Sequence, residues 1–565
     1  MEVLMFKHIF LRSFIGFHGT FLLFPVCLTL NFTAAPIYPE TTFLWVSNAP
    51  TELCEERHNI KIDMSFFSLS GSPRKQMAEQ GIAIFYIDKL GYYPYIDTRT
   101  GENVNGGIPQ LGCLKKHLDK AKLDILYYTG PQKVGLAVID WQEWRPIFAR
   151  NWSPKHIYKD LSTRLALQED ATRNLSEAVN IAKADFEKAA KDFMLETLKL
   201  GKVLRPKYYW GFYRFPDCYN TYSKSPSYNG SCVDLEIRRN NELDWLWKES
   251  TALFPSIYLY TGIKNSQKAA LFVRNRVLEA QRISRVRDAK DPLPVFVYLR
   301  PVLTDKSDSF LSAGDLVDTI GESISLGASG MVIWGGYNLS RTVEVCKTFN
   351  KFMQHLLNPY IINVTLAAKM CSQVLCQEQG MCVRKHWNSS DYLHLNPKNF
   401  AIEMAKDGKY TIRGKPTLED LKQLSQKFHC SCYSNIDCNT TVDINTISHT
   451  NVCIAEDICI DAFLNSKLSD LSDWNERASN VYRNVSFSSP LAKASPCVPG
   501  KDLNENFNSK CSVKVLSNHL QEDSQSHLYI PDNKNDATSS RTNLVLIKFP
   551  IDILHVLLAI TFLYL

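Results

Sequence analysis

From about Pro39 to Tyr360, short apolar runs alternate with longer segments whose apolar positions recur every three or four residues. The runs Gly81–Tyr86, Val134–Ile139, Tyr208–Tyr213, Ser256–Tyr260, Leu293–Tyr298 and Gly330–Gly336 read as strands. They are apolar at nearly every position, the pattern of a strand buried on both faces of a parallel sheet. The segments Leu114–Leu126, Ala178–Val203, Ala269–Ile283 and Leu316–Leu326 read as amphipathic helices. Repeated β–α units on this scale predict an α/β fold, a parallel (β/α) barrel with its helices outside.

One run carries chemistry. Val134-Gly-Leu-Ala-Val-Ile139 ends abruptly in Asp140-Trp-Gln142-Glu143-Trp-Arg-Pro146, a cluster of acid, aromatic and basic side chains. In parallel barrels the catalytic groups project from the C-terminal ends of the strands, so this strand is where a site is expected.

After Asn358-Pro359 the texture changes to loop-rich sequence with cysteines at 371, 376, 382, 430, 432 and 438, extended by Cys453 and Cys459. Zinc spacing with histidines in register is missing, so no metal site is expected, and no cofactor motif is present. Lys7 and Arg12, an apolar run over residues 21–30 and the small residues at 33–35 form a secretory signal peptide. In an oxidising compartment the cysteines pair, and the module is stapled because its core is small. Of the 16 cysteines Cys27 leaves with the signal, so an odd number remains and one thiol is free or bonded to another chain; Cys113 is the candidate. Sequons at Asn151, Asn174, Asn229, Asn338, Asn363, Asn388, Asn439 and Asn484 predict a glycoprotein with those positions facing solvent.

Residues 466–540 are rich in Ser, Asn and Asp and read as a mobile linker. The apolar tail 541–565 follows small residues and a spacer and is interrupted by Lys548, Pro550 and Asp552, which suits a glycolipid-anchor signal better than a spanning helix. The net charge of +6 fits either a mildly basic surface or affinity for a polyanion. Arg274, Arg276, Arg282, Arg285 and Arg287 read as a basic helix face with Lys268 nearby.

Ala137-Val-Ile-Asp140-Trp-Gln142-Glu-Trp-Arg-Pro146 with Ala149-Arg-Asn-Trp152 resembles the active-site strand of the animal hyaluronidases. Trp210-Gly-Phe-Tyr-Arg-Phe-Pro-Asp-Cys-Tyr-Asn220 and Gly330-Met-Val-Ile-Trp-Gly335 are similar to two further signatures of that family. Asn358–Cys371 and Gly414–Leu421 resemble its sperm-surface branch, and the likeness runs from about residue 36 to Leu464. It implies a distorted parallel (β/α) barrel of the glycoside-hydrolase type over 36–360, after a signal peptide over 1–35. A module resembling an epidermal growth factor domain would occupy 361–465. It also implies the pairs Cys54–Cys346, Cys218–Cys232, Cys371–Cys382 and Cys376–Cys430, with Cys432 bonded to Cys438 or to a cysteine further on. The implied partners are hyaluronan or a related glycosaminoglycan, not nucleic acid, and a membrane reached through the glycolipid anchor. The implied location is the cell surface, on sperm by analogy.

The family cleaves hyaluronan by a substrate-assisted retaining mechanism, an exception to the two-carboxylate scheme. The first acid of an Asp-x-Glu pair orients the 2-acetamido group and the second protonates the leaving oxygen. Residues two apart on a strand share a side, which explains the spacing. By resemblance Asp140 is the first acid. Tyr213, Tyr258 and Trp334 surround the reacting sugar, Asp217 and Tyr219 line the groove, and Arg276 meets a glucuronate carboxylate. Gln142 stands where the family has its acid, and an amide has no proton to give. The expectation is a chain that engages hyaluronan and hydrolyses it weakly or not at all. The alternative is an active endo-β-N-acetylhexosaminidase in which Glu143, or another carboxylate, supplies the proton.

Overall fold

The computed structural model describes residues 32–464. Most of the expected signal peptide, the expected linker with Asn484, Cys497 and Cys511, and the apolar tail expected to carry an anchor signal lie outside the described residues. Of the strands, those that bear on the barrel and its junction with the module are β1 (Phe32–Thr33), β2 (Leu44–Asn48), β3 (Leu69–Ser70), β4 (Ile82–Phe85), β5 (Gly135–Ile139), β6 (Tyr208–Phe212), β7 (Phe296–Leu299) and β8 (Gly330–Trp334). All but β1 belong to two parallel sheets, ordered β3-β2-β8-β7 and β4-β5-β6. The stretch 253–256 joins the sheets through parallel bridges from Phe254 to Tyr213, from Leu253 to Val295 and from Ser256 to Tyr298. This is the expected distorted parallel barrel. Ser256–Tyr260 is not a regular strand as expected; Pro255, at its start, has no N–H for a ladder, and only isolated bridges form. The sequence pattern also passed over β2, whose five residues include Ser47 and Asn48.

The strand period of two sorts side chains between two cores. Ile82, Ile84, Leu136, Val138, Phe254, Phe296, Tyr298 and Val332 fill the barrel interior. Ala83, Phe85, Ala137, Ile139, Trp210 and Phe212 face the surrounding helices. Each fully buried Ile or Phe contributes roughly 1.5–3 kcal/mol, so the register is set by both faces at once.

The helices that matter for the site are α1 (Leu114–Tyr128), α2 (His156–Glu169), α3 (Leu175–Leu204), α4 (Gln267–Ser284) and α5 (Asn358–Cys376). An Asn174–Glu177 capping box starts α3, and the helix ends before Pro206. Its buried stripe runs through Ala178, Ala182, Phe186, Ala190, Phe193 and Leu198. A Cβ at Gly201 would fall 2.7 Å from the Trp210 ring, so glycine here lets α3 lie against β6.

Phe32–Thr33, within the expected signal segment 1–35, pair in parallel with Cys432 and Tyr433 of the C-terminal module. The expected boundary at 360/361 falls inside α5, one continuous helix that packs on the module and also reaches the barrel, where Thr365 accepts a hydrogen bond from Trp45. The disulfides Cys54–Cys346, Cys218–Cys232, Cys371–Cys382 and Cys376–Cys430 are all formed. Cys432 takes Cys438, and Cys453 takes Cys459. Cys113, exposed ahead of α1, is the free cysteine among the described residues. No helix among the described residues is long and apolar enough to cross a membrane.

Candidate functional site

The register of β4, β5 and β6 builds one wall of the site. Phe85 pairs with Ile139 and Ile139 with Phe212, so Tyr86, Asp140 and Tyr213 emerge side by side at the C-terminal ends. Backbone hydrogen bonds extend the ladder one step, from Asp140 N–H to Phe85 (2.8 Å) and from Tyr213 N–H to Ile139 (3.0 Å). Leu136 and Val138 point into the barrel, so Asp140 and Gln142 continue on that side. Gln142 Nε2 donates to Asp140 Oδ1 at 2.6 Å. Burial raises the Asp140 pKa to about 6, against the Gln142 hydrogen bond and the charges of Arg145 and Arg214, which lower it.

Aromatic side chains close the pocket. Tyr258 stacks on Trp334 with ring centroids 5.9 Å apart, and Trp334 Nε1 donates to the Tyr86 hydroxyl at 3.0 Å. The Arg300 guanidinium lies over the Trp334 ring. Tyr213 donates to Ser256 Oγ at 3.2 Å and packs edge-on against Tyr298. Burial holds the hydroxyls of Tyr86, Tyr213, Tyr258 and Tyr298 above their usual range, so they remain neutral donors. Tyr86, Tyr298 and Ser256 were not expected at the site. Tyr86 is legible afterwards as the residue that follows an apolar run in the position Asp140 holds after β5.

A buried ionic knot lies beside Asp140, whose charge Arg214 also feels. Asp217 pairs with Arg150 at 3.3 Å and Arg214 at 3.9 Å, and accepts from the N–H groups of Cys218 and Tyr219. Burial alone would raise its pKa, but Arg214, Arg150, Arg276 and Arg145 outweigh burial and hold the carboxyl well below the usual range. Asp217 is therefore an anion fixed by cations. Arg150 also pairs with Glu236 at 2.8 Å. Arg214 and Tyr219 both take the left-handed backbone, with φ of 63° and 56°, a conformation non-glycine residues seldom adopt outside sites that constrain them. Tyr219 packs edge-on against the partly exposed Trp152. Arg276 donates from Nε to Asn220 and from Nη1 to the Ser256 carbonyl, both at 2.8 Å.

Glu143 falls on the other side of the strand end, in step with Trp141, which is buried toward the helices. Its electrostatic neighbours are Lys155, Asp97, the hydroxyls of Tyr93, Tyr95 and Tyr158, and Asp140, whose pKa its charge helps to raise. Burial raises its pKa, and Lys155 opposes that rise. Gln142, not Glu143, bonds Asp140.

The basic face of α4 is not a continuous cationic stripe, as its sequence indicated. Arg274 is buried and pairs with Glu322 at 2.6 Å, Arg282 pairs with Glu279, and Arg287 pairs with Asp291. Arg276, two residues on from Arg274, points to the nearly opposite face, since helical residues two apart are rotated by about 200°, and bonds Asn220 and the Ser256 carbonyl beside the site. Among the sequons, Asn174, Asn229, Asn338, Asn388 and Asn439 are exposed and Asn363 is half-buried. Asn151 is the exception to the solvent-facing expectation. It is 0% exposed, its Nδ2 donates to the carbonyls of Arg145, Ile147 and Phe148, and its Oδ1 accepts from Arg145 N–H. A glycan requires that nitrogen. Cys430, Cys432 and Cys438 lie close together, but all three are in disulfides.

A parallel barrel with a carboxylate, a ring of tyrosines and a tryptophan at the strand ends has the architecture of a barrel glycoside hydrolase. The hyaluronidase family model matches residues 32–443, and the chain belongs to that family. It is 58% identical to human hyaluronidase PH-20 over 470 residues, covering 82% of this chain and 92% of that one. Mouse hyaluronidase-5 is 54% identical over 510 residues, covering 89% and 97%. Among solved structures, bee venom hyaluronidase in complex with a hyaluronic acid tetramer matches with 31% identity and a TM-score of 0.49, covering 56% of this chain and 98% of that chain.

Proposed function

We propose that this chain is a cell-surface glycoprotein that holds hyaluronan in the groove at the strand ends and cleaves it weakly or not at all. The observation that carries the proposal is the Gln142 amide, bonded to Asp140 where the family has its proton donor. Asp140, once ionised, accepts the acetamido N–H of an N-acetylglucosamine and stabilises positive charge there. Tyr213 and Tyr258 bracket that sugar and Trp334 forms the pocket floor. Arg276 keeps a guanidinium edge for a glucuronate carboxylate, since Asn220 and Ser256 take only Nε and Nη1. Gln142 donates a hydrogen bond to a glycosidic oxygen but cannot protonate it. General acid catalysis is worth about 10²–10⁴-fold, and a sugar alkoxide leaves poorly enough to put the loss at the upper end.

Secretion, glycosylation at the exposed sequons and a glycolipid anchor complete the proposal and rest on the sequence. The test pairs retention of the purified chain on immobilised hyaluronan with turbidity and zymography at acid and neutral pH. Retention without depolymerisation is expected, and robust cleavage overturns the proposal. Glu143 as a substitute acid predicts that Glu143→Gln abolishes whatever cleavage is seen.

A further inference from the structure

The loop that carries position 142 has no regular secondary structure between β5 and the short turn Phe148–Arg150. A single downstream stretch, residues 151–155, holds it from two points. Asn151 binds the loop's far half through the carbonyls of Arg145, Ile147 and Phe148. Lys155 binds the near half: its ammonium donates to the carbonyls of both Gln142 and Glu143, the latter at 3.0 Å. Among the described residues Lys155 is the donor to both carbonyls. The side chain is largely enclosed, and burial first, then Arg145 and Arg214, draw its pKa down to about 8, while Glu143 opposes the fall. An ammonium suits this place because its three donors diverge from one compact centre. A cation kept among other cations at this desolvation cost is unexpected for a surface lysine just ahead of α2.

We infer that Lys155 is a positioning residue of the site: by gripping the two carbonyls it sets where the side chain at position 142 stands relative to Asp140. Its function depends on the proposed role of position 142, but its structural effect does not. The buried rings of Trp141 and Trp144 anchor the loop on either side of Gln142 and Glu143, and the carbonyls of that pair are left to one ammonium. A displacement of about 1 Å at a reacting group is enough to cost roughly 100-fold in rate.

The test compares the full chain with Lys155→Met, which keeps the aliphatic stem, and Lys155→Gln, carried in case the first does not fold. Hydrogen exchange read by mass spectrometry should rise about tenfold or more in peptides covering residues 140–147, the loss expected when charge-assisted hydrogen bonds are removed. Peptides from β2 and β8 and the melting temperature should be nearly unchanged. In the Gln142→Glu background the same substitution should lower kcat about 10–100-fold at unchanged KM. Unchanged exchange in 140–147, or a rise spread evenly over the barrel with a matching fall in melting temperature, overturns the inference. So does an unchanged kcat in a Gln142→Glu chain that hydrolyses hyaluronan. A Gln142→Glu chain that hydrolyses nothing counts against the proposed function, and the exchange measurement alone then decides Lys155.

Discussion

Restoring the acid by Gln142→Glu is the most direct perturbation of the site. The amide nitrogen lies 2.6 Å from Asp140 Oδ1, so a carboxyl of the same shape at that position shares a proton with Asp140. Two carboxyls in such contact cannot both ionise readily, and the pair loses its protons in two separated steps. Burial already places Asp140 at about 6 in the native chain, and a second acid loses the favourable amide donor and adds like charge. The upper step of the pair therefore lies above about 6. The leaving-group acid works only while that proton is held, so activity is present below the upper pKa and disappears as pH rises through it. The expected gain in kcat is about 10²–10⁴-fold, roughly 3–5 kcal/mol of barrier. Reducing-end release from hyaluronan across pH 4–8 measures it, with retention on immobilised hyaluronan and thermal melting as controls. A revertant that folds, retains hyaluronan and gains less than tenfold at every pH refutes the claim that only the acid is missing.

Asp140→Asn should trade function for stability. The folded pKa of Asp140 is raised from the unfolded value near 4 to about 6, so the folded chain holds the extra proton in that window and stability falls as pH rises through it. The variant should melt higher than the native chain at pH 7.5 by the equivalent of about 1–3 kcal/mol, converge with it below pH 4, and lose hyaluronan retention. Glu322 is fully buried and accepts from Arg274 Nε and Nη2, Arg384 Nη1 and the Tyr392 hydroxyl at 2.6–3.2 Å. Glu322→Gln leaves two guanidinium groups unpaired between barrel and module, so a loss of about 3–5 kcal/mol is expected in thermal or denaturant melting, and a change under 1 kcal/mol contradicts it. Peptide mapping after glycosidase treatment in heavy water should find Asn151 unmodified while Asn174, Asn229, Asn338, Asn388 and Asn439 carry glycans. Glycan occupancy at Asn151 would contradict the buried hydrogen-bonding role of its amide.

The fold was largely legible because a parallel barrel strand is buried on both faces, and its apolar run is visible without neighbours. Gly81–Tyr86, Val134–Ile139, Tyr208–Tyr213 and Gly330–Gly336 each contain an observed strand. β2 escaped notice because Ser47 and Asn48 dilute its pattern. Ser256–Tyr260 has the apolar composition of a strand, but Pro255 just before it, legible in the sequence, has no N–H for a ladder and only isolated bridges form. Of the candidate site, the family resemblance supplies Asp140, Tyr213, Tyr258, Trp334, Asp217, Tyr219 and Arg276. Tyr86, Ser256 and Lys155 depend on register and loop path, which local sequence does not carry.

Sequence alone determined the strand, the acid at its end and the amide two residues on, and strand alternation supplied the expectation that Asp140 and Gln142 share a side. Past Ile139 the path of the loop decides it. It also determined that the cysteines would pair. Tertiary structure decided what each polar residue is for. Asn151 has the sequence of a glycan acceptor and serves as a buried clasp on the loop. Arg274 and Arg276 look alike in a basic run, yet one binds Glu322 against the module and the other bonds Asn220 and the Ser256 carbonyl. A side chain's partners come from distant parts of the chain, and the energy of a buried donor or charge is set by those partners rather than by its own identity.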